Sequence, residues 1–296
     1  MTTLISLVGE QPMPILLPAR YLNPQRHILL HTDRTRAVAQ RLESLLEHVT
    51  LAGAKAYELD KTLSTLREIT PDDDKLIVNL TGGTKMMALA GFALASERRA
   101  EVVYFQSEEH TSRLHRYGFV DGQFQRLAPP EELPELITIA DYLNAHLPGF
   151  RMEGASQTDG GLFEQAVANA LQEAGFEVMI GVRPERVADQ IEIDLVIRYK
   201  NQVGIAEVKL GGSEAPKKGV DQLSTAGRRE YLGTYTKKFL IVARRQNNKI
   251  RQLARESDVT LIELPDYRSG RPLSSRERCQ LLQIIYRDLA GIRHRC

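Results

Sequence analysis

The stretch 76–94, LIVNLTGGTKMMALAGFAL, narrows the possible folds more than any other part of the chain. A β-rich apolar run passes through Thr81-Gly82-Gly83-Thr84-Lys85 into an alanine-rich segment whose small residues suit a buried helix. Gly82 and Gly83 can take backbone angles closed to other residues, and the following helix points unpaired N–H groups at whatever lies over its first turn. Such a turn can cradle an anion. The helix end carries about half a unit of positive partial charge, and the Thr84 hydroxyl and Lys85 ammonium add directed donors. The spacing matches neither GxxxxGK[ST] nor GxGxxG, which argues against a nucleotide-hydrolysis loop. A plain turn is the competing reading, with Asn79 and Thr81 acting only as caps.

Around this turn, short β-runs alternate with helical segments, which favours an α/β domain with a parallel, doubly wound sheet. Strands are predicted over residues 4–8, 27–31, 55–58, 76–80 and 101–106, helices over 34–48 and 84–96, and a loop around Gly9 and Pro12. Residues 113–119 and 123–127 read as a hairpin turning at Asp121-Gly122. The run Ala128-Pro129-Pro130, a helical stretch over 135–145 and the break Pro148-Gly149 then mark a linker. The predicted division is a first α/β domain over 1–127, a linker with a helix over 128–150 and a second α/β domain over 151–296. That second domain reads as a helix (161–174), three β-runs (176–182, 191–198, 203–210), a helix (220–229) and a strand (239–243).

With 296 residues, each domain can bury a core without staples. The two cysteines, Cys279 and Cys296, are expected as reduced thiols of a cytoplasmic protein. The longest apolar run falls well short of the roughly 20 residues that span a bilayer, so no membrane partner is expected. Charge is unevenly spread. Of 39 basic and 38 acidic residues, 15 and 19 lie in the first 150 positions and 24 and 19 beyond them, a split that fits either polyanion handling by the second half or plain solvated surface charge.

The segment 191–210, IEIDLVIRYKNQVGIAEVKL, carries the stronger chemistry. As a hairpin turning at Lys200-Asn201-Gln202, its period-two alternation lets Asp194 and Glu207 meet, with Lys209 on the face of Glu207. Two hard carboxylates suit Mg²⁺ or Mn²⁺, with the Val208 carbonyl as a further donor. Lys209 would orient or deprotonate an attacking water, and Glu164 on the preceding helix would complete the site. Solvated strand charges are the alternative. The doublets Lys217-Lys218, Arg228-Arg229, Lys237-Lys238 and Arg244-Arg245, interleaved with Tyr231, Tyr235 and Phe239, are candidates for tracking a nucleic-acid backbone. His27 and His31 flank an extended run and read as structural.

NLTGGTKMM, with LVGEQPMP near the start and LLHTDRT after the second β-run, resembles the CARF sensor domain of type III CRISPR ancillary effectors. The resemblance implies a Rossmann-like homodimer that binds one cyclic oligoadenylate, cyclic tetraadenylate foremost and cyclic hexaadenylate next. It assigns Gln11, Thr32, Asn79, Thr81, Gly82, Gly83, Thr84 and Lys85 to the ligand, with Met86 a weaker member. Residues 155–245, with Glu164, the Asp194 strand, IAEVKL and Gln222 opening a helix, resemble the restriction-endonuclease-like PD-(D/E)xK nuclease fold. Together they imply an allosterically activated, Mn²⁺- or Mg²⁺-dependent endonuclease of antiviral defence that cuts DNA, RNA or both. The competing readings are a constitutive nuclease with a dimerisation domain and a non-catalytic, nucleotide-responsive regulator.

Overall fold

The computed structural model describes residues 1–72, 75–108, 110–185, 192–211, 215–227, 232–233 and 236–294. The chain divides into two compact units, Met1–Leu136 and Ile137–Cys296.

The first unit runs β1 (Thr2–Leu7), α1 (Met13–Leu22), β2 (Arg26–His31), α2 (Arg36–Glu43), β3 (Val49–Gly53), α3 (Leu59–Ile69), β4 (Lys75–Asn79) and α4 (Lys85–Arg98). It closes with β5 (Glu101–Glu108), β6 (Thr111–Val120), β7 (Gln123–Arg126) and β8 (Glu131–Glu132). The sheet order is β3-β2-β1-β4-β5-β6-β7, with β8 paired to β6. Strands β3 to β5 in that order are parallel, and β6 turns the sheet antiparallel. Ile5, Leu7, Val78 and Val102 pack against Met87, Ala90 and Leu94 of α4. Each fully buried aliphatic side chain stabilises by about 1.5–3 kcal/mol, enough to hold α4 on the sheet despite its weak amphipathicity.

Three local expectations are corrected. The loop expected after Pro12 is helix α1, with Pro12 as N-cap, Pro14 in the first turn, where its missing N–H costs little, and Pro18 inside the helix. Buried Ile15, Leu16 and Leu17 hold it together, and prolines hide it from a reading by pattern. The helix expected over 34–48 ends at Glu43, where the Ser44 hydroxyl donates to the Arg41 carbonyl. Val49 to Gly53 then pair with β2, so the chain must leave the helix early. Finally, residues 55–58 form a connection rather than a strand. The Lys55 and Ala56 carbonyls accept the hydroxyls of Thr62 and Thr84.

The second unit runs α5 (Ile139–His146), β9 (Phe150–Met152), α6 (Asp159–Gln172), β10 (Glu177–Pro184), β11 (Ile193–Tyr199), β12 (Gln202–Lys209) and α7 (Ala215–Ala226). Strand β13 (Lys237–Val242), α8 (Asn248–Glu256), β14 (Thr260–Glu263) and α9 (Ser275–Ile285) complete it. The sheet order is β14-β13-β12-β11-β10-β9, antiparallel from β9 to β12 and parallel from β12 to β14. Phe163, Val167 and Leu171 of α6 bury one face with Leu195, Ile197, Phe239 and Ile241. The hairpin β11–β12 turns on Lys200 and Asn201, because Tyr199 already pairs with Gln202.

Segment 128–150 is shared out: β8 belongs to the first unit, while the Ile139 N–H at the start of α5 is held by Glu177 of the second, at 3.1 Å. Ile191, Arg228, Arg229, Tyr231, Tyr235 and Cys296 lie outside the described residues. Among the described residues, no helix is long and apolar enough to cross a membrane.

Candidate active site and anion cradle

In the second unit, the β11–β12 ladder stops at Leu195 opposite Ala206, one step short of Asp194 and Glu207. A side chain continues it. Asp194 Oδ2 accepts the Val208 N–H at 2.8 Å and the Lys209 ammonium at 2.8 Å. The same ammonium lies 2.7 Å from Glu207 Oε2, an ion pair without hydrogen-bond alignment. Asp194 is 7% exposed and Glu207 1%, so both carboxylates are withdrawn from water on the sheet face opposite Leu195 and Val208.

This arrangement is electrostatically under-compensated. Burial first, and the Asp194 charge second, push Glu207 up to about 8. Glu164 is pushed up to about 7 by burial and then by Asp194, with Lys209 opposing, so its carboxyl senses the same cluster from α6. Burial alone would lower Lys209, but Glu207 and Asp194 outweigh it and hold the ammonium above its ordinary range. Two carboxylates share one cation, which leaves Glu207 with a raised affinity for a proton. Added positive charge would relieve that state.

A divalent ion fits this donor set. Asp194 and Glu207 supply hard oxygens, while among the described residues no three His, Cys, Asp or Glu side chains gather into a metal group. Asp194 and Glu207 are the side chains that could hold such an ion here. Helix α7 lies over the site: a Cβ on Gly219 would come 3.7 Å from Glu207 Cβ. One turn on, Gln222 Oε1 is buried with no hydrogen-bond partner among the described residues. Sequence reading missed Gly219, whose signal was only a glycine three residues before Gln222.

The basic and aromatic candidates separate. Lys217, Lys218, Arg244 and Arg245 are exposed, whereas Lys238 donates to the Ser257 carbonyl at 2.9 Å. Phe239 is fully buried, which corrects its candidacy for stacking on a base: Ala206 and Ile241 lie in the same core.

In the first unit, the strand order reverses direction between β1 and β4, and the crevice at their carboxyl ends is where doubly wound sheets hold ligands. The TGGTK turn sits there. Gly82 touches the end of β1 so closely that a Cβ would fall 2.1 Å from the Leu7 carbonyl oxygen and 3.2 Å from Gly9 N. Gly83 has φ of 73°, the left-handed region that favours glycine. Thr84 caps α4, its hydroxyl accepting the Met87 N–H at 3.3 Å while donating to Ala56.

Other assigned residues turn inward. Asn79 is fully buried, donating to the Pro14 carbonyl at 2.9 Å and accepting the Thr81 N–H and hydroxyl at 3.1 and 2.6 Å. Thr81 Oγ1 in turn accepts the Phe105 N–H at 2.7 Å. Gln11 and Thr32 follow β1 and β2 and are half-buried, and the Thr32 N–H donates to Thr35 Oγ1 at 3.0 Å. Gly83, Lys85 and Met86 are the exposed members. His27 is buried, bonded through Nε2 to Ser6 Oγ at 2.9 Å, and burial lowers it to about 3. It is a neutral core residue.

Residues 3–142 match the model of the Card1 CARF domain family. The CARF match takes in the whole parallel sheet and the TGGTK turn. Solved structures extend the likeness. Can2 from Sulfobacillus thermosulfidooxidans, in complex with cyclic tetra-adenylate, superposes with a TM-score of 0.72 at 17% identity, covering 95% of this chain and 98% of that one. VC1899 from Vibrio cholerae gives 0.68 at 13% identity, with 90% and 94% covered. A type III CRISPR defence DNA nuclease activated by cyclic oligoadenylate gives 0.59 at 17%, with 83% of this chain and 46% of that one covered. At such identities the likeness is one of fold. No curated protein gives a significant match.

Proposed function

We propose that this chain is a cyclic-oligoadenylate-activated, metal-dependent nuclease of type III CRISPR defence, acting as a cytoplasmic homodimer on DNA, RNA or both. The observation that carries the reading is the closure of Asp194 and Glu207 on Lys209 in a chain whose residues 3–142 match a CARF model. The second unit is read as a PD-(D/E)xK domain, and the first as the receptor for cyclic tetraadenylate or cyclic hexaadenylate.

In this reading Asp194, Glu207 and the Val208 carbonyl hold Mn²⁺ or Mg²⁺, which when bound acidifies water and offsets phosphate charge. Lys209, kept protonated by its carboxylate neighbours, serves as a cation beside the phosphate rather than as a base. Glu164, held near neutrality in its affinity for protons, can take one from the attacking water. Gln222 offers its buried amide oxygen to the same site. At the cradle, Lys85 and the first-turn amides of α4 bind a ligand phosphate. The cyclic ligand biases the active arrangement by binding it more tightly, about 1–3 kcal/mol in typical coupled systems.

The test is plasmid DNA and labelled single-stranded DNA and RNA with Mn²⁺, each with and without cyclic tetraadenylate and cyclic hexaadenylate. Scission is expected only when metal and ring are both present. Cutting with Mn²⁺ alone would make the chain a constitutive nuclease, and binding without scission would make it a regulator.

A further inference from the structure

The positive charge beyond β13 is of two kinds. Arg251 is neutralised: its guanidinium meets both oxygens of Glu263, at 3.0 and 2.7 Å, and the same carboxylate accepts the Gln246 N–H at 2.6 Å. Arg244 is exposed and has no ion-pair partner among the described residues. Its backbone is nonetheless held in place. The Gln246 side-chain amide donates to the Arg244 carbonyl at 3.0 Å. Gly211, at φ of 132°, lies beneath the Arg244 stem, so that a Cβ there would come 2.6 Å from Arg244 Cδ and 2.8 Å from Nε.

Register ties this arginine to the acidic pair. Lys209 of β12 is in step with Val242 of β13, and the Ala243 N–H donates to the Lys209 carbonyl at 3.1 Å. Two residues beyond the end of each strand, Gly211 lies against the Arg244 side chain. Arg244 therefore sits just past the carboxyl end of β13, beside the end of β12 that carries Glu207 and Lys209. Lys209 is already claimed by two carboxylates, whereas Arg244 keeps an open planar fork of donors.

We infer that Arg244 binds a backbone phosphodiester of the nucleic-acid strand next to the one being cut, a substrate-binding role that rests on the nuclease reading above. A phosphodiester offers paired oxygens that a guanidinium meets with two hydrogen bonds. The contact is to the backbone and carries no base preference. Gly211 is part of the device, since any side chain there would displace the arginine stem.

The experiment compares full-length wild type with Arg244→Ala, Arg244→Lys and, as a control, Arg278→Ala, whose arginine is paired with Glu173. Anisotropy with fluorescein-labelled single-stranded DNA, duplex DNA and single-stranded RNA is measured in EDTA across a salt series. Cleavage is followed with Mn²⁺ and the cyclic activator. Arg244→Ala should weaken binding about fivefold or more and flatten the log K against log salt slope by about 0.7–0.9. KM should rise with kcat little changed, Arg244→Lys should recover the salt slope, and Arg278→Ala should match wild type. An Arg244→Ala protein with wild-type slope and KM, in a wild type that binds and cuts, would overturn this role alone. A wild type that binds these probes without cutting them would instead remove the nuclease reading, leaving the salt slopes to decide the contact.

Discussion

Asn79 donates its side-chain amide to the carbonyl of Pro14 at 2.9 Å, the acceptor that Pro18, four residues on and without an N–H, cannot serve. The β4 strand thus repairs a gap that proline opens in α1. Its carbonyl oxygen takes the Thr81 N–H and hydroxyl, so one fully buried amide ties helix α1 to the entrance of the glycine turn.

Replacing Asn79 should therefore cost stability before it costs ligand affinity. Asn79→Ala leaves a buried carbonyl unpaired and is expected to destabilise by about 1–3 kcal/mol, lowering the melting temperature by roughly 3–10 °C. Asn79→Asp can still accept from Thr81 but places a carboxylate against the Pro14 oxygen, and should be at least as harmful. Thermal denaturation decides it: an Asn79→Asp protein as stable as wild type would refute the role.

Asp194 does two separable jobs, accepting the Val208 N–H and carrying charge beside Lys209. Asn can do the first alone. Asp194→Asn should keep the melting temperature near that of wild type while abolishing cleavage, whereas Asp194→Ala should also lose about 1–3 kcal/mol of stability. Lys209→Ala should lower the cutting rate about 10²–10³-fold. Wild-type plasmid cleavage by Asp194→Asn would end the assignment.

The pH dependence of the metal-free protein follows from Glu164, raised to about 7, and Glu207, raised to about 8. Both keep protons in the fold that the unfolded chain gives up near the ordinary carboxylate value, so the native state binds more protons between those limits. Their contribution to stability must then fall as pH rises from about 4.5 toward 8. Mn²⁺ should reverse the loss at pH 8 and, at pH 7, release roughly one proton on binding. Calorimetry in two buffers of different ionisation enthalpy reads this proton directly. Glu207→Gln should shrink it, and identical heats in both buffers would count against the site.

What the residues reveal in advance follows from how local each signal is. The hairpin that joins Asp194, Glu207 and Lys209 was legible because alternation assigns faces and the turn assigns register, both within one short stretch. Strands β1, β2, β4 and β5 and helix α4 of the first unit were legible from short apolar runs and the glycine turn between β4 and α4. Helix α1 was not, because its prolines oppose helix on local grounds and the compensation comes from Asn79, distant in sequence. Strand β3 and the early end of α2 depend on pairing with β2, again a tertiary preference overriding a local one. At the cradle, residue type alone could not separate Asn79 and Thr81, whose polar atoms are consumed inside, from Lys85, which remains exposed.

That separation gives the cradle its own test, because Gly82 and Lys85 should fail in opposite ways. A methyl at Gly82 would collide with the Leu7 carbonyl at 2.1 Å and approach Gly9 N at 3.2 Å, contacts between backbones that cannot rotate away. Gly82→Ala is expected to destabilise by about 1–3 kcal/mol, so that any loss of ligand affinity comes with a lowered melting temperature. Lys85 is exposed, and its removal should leave stability within about 0.5 kcal/mol of wild type. If its ammonium meets a ligand phosphate, however, Lys85→Ala should weaken cyclic tetraadenylate binding about 10- to 100-fold, the worth of a charge-assisted hydrogen bond. Thr84→Ala falls between them, losing a helix cap worth about 1 kcal/mol and the bond to Ala56 while sparing the ammonium. Paired calorimetry and melting curves on the three variants distinguish the outcomes: unchanged affinity in Lys85→Ala would mean that the turn is only a turn, whatever the glycine variant does.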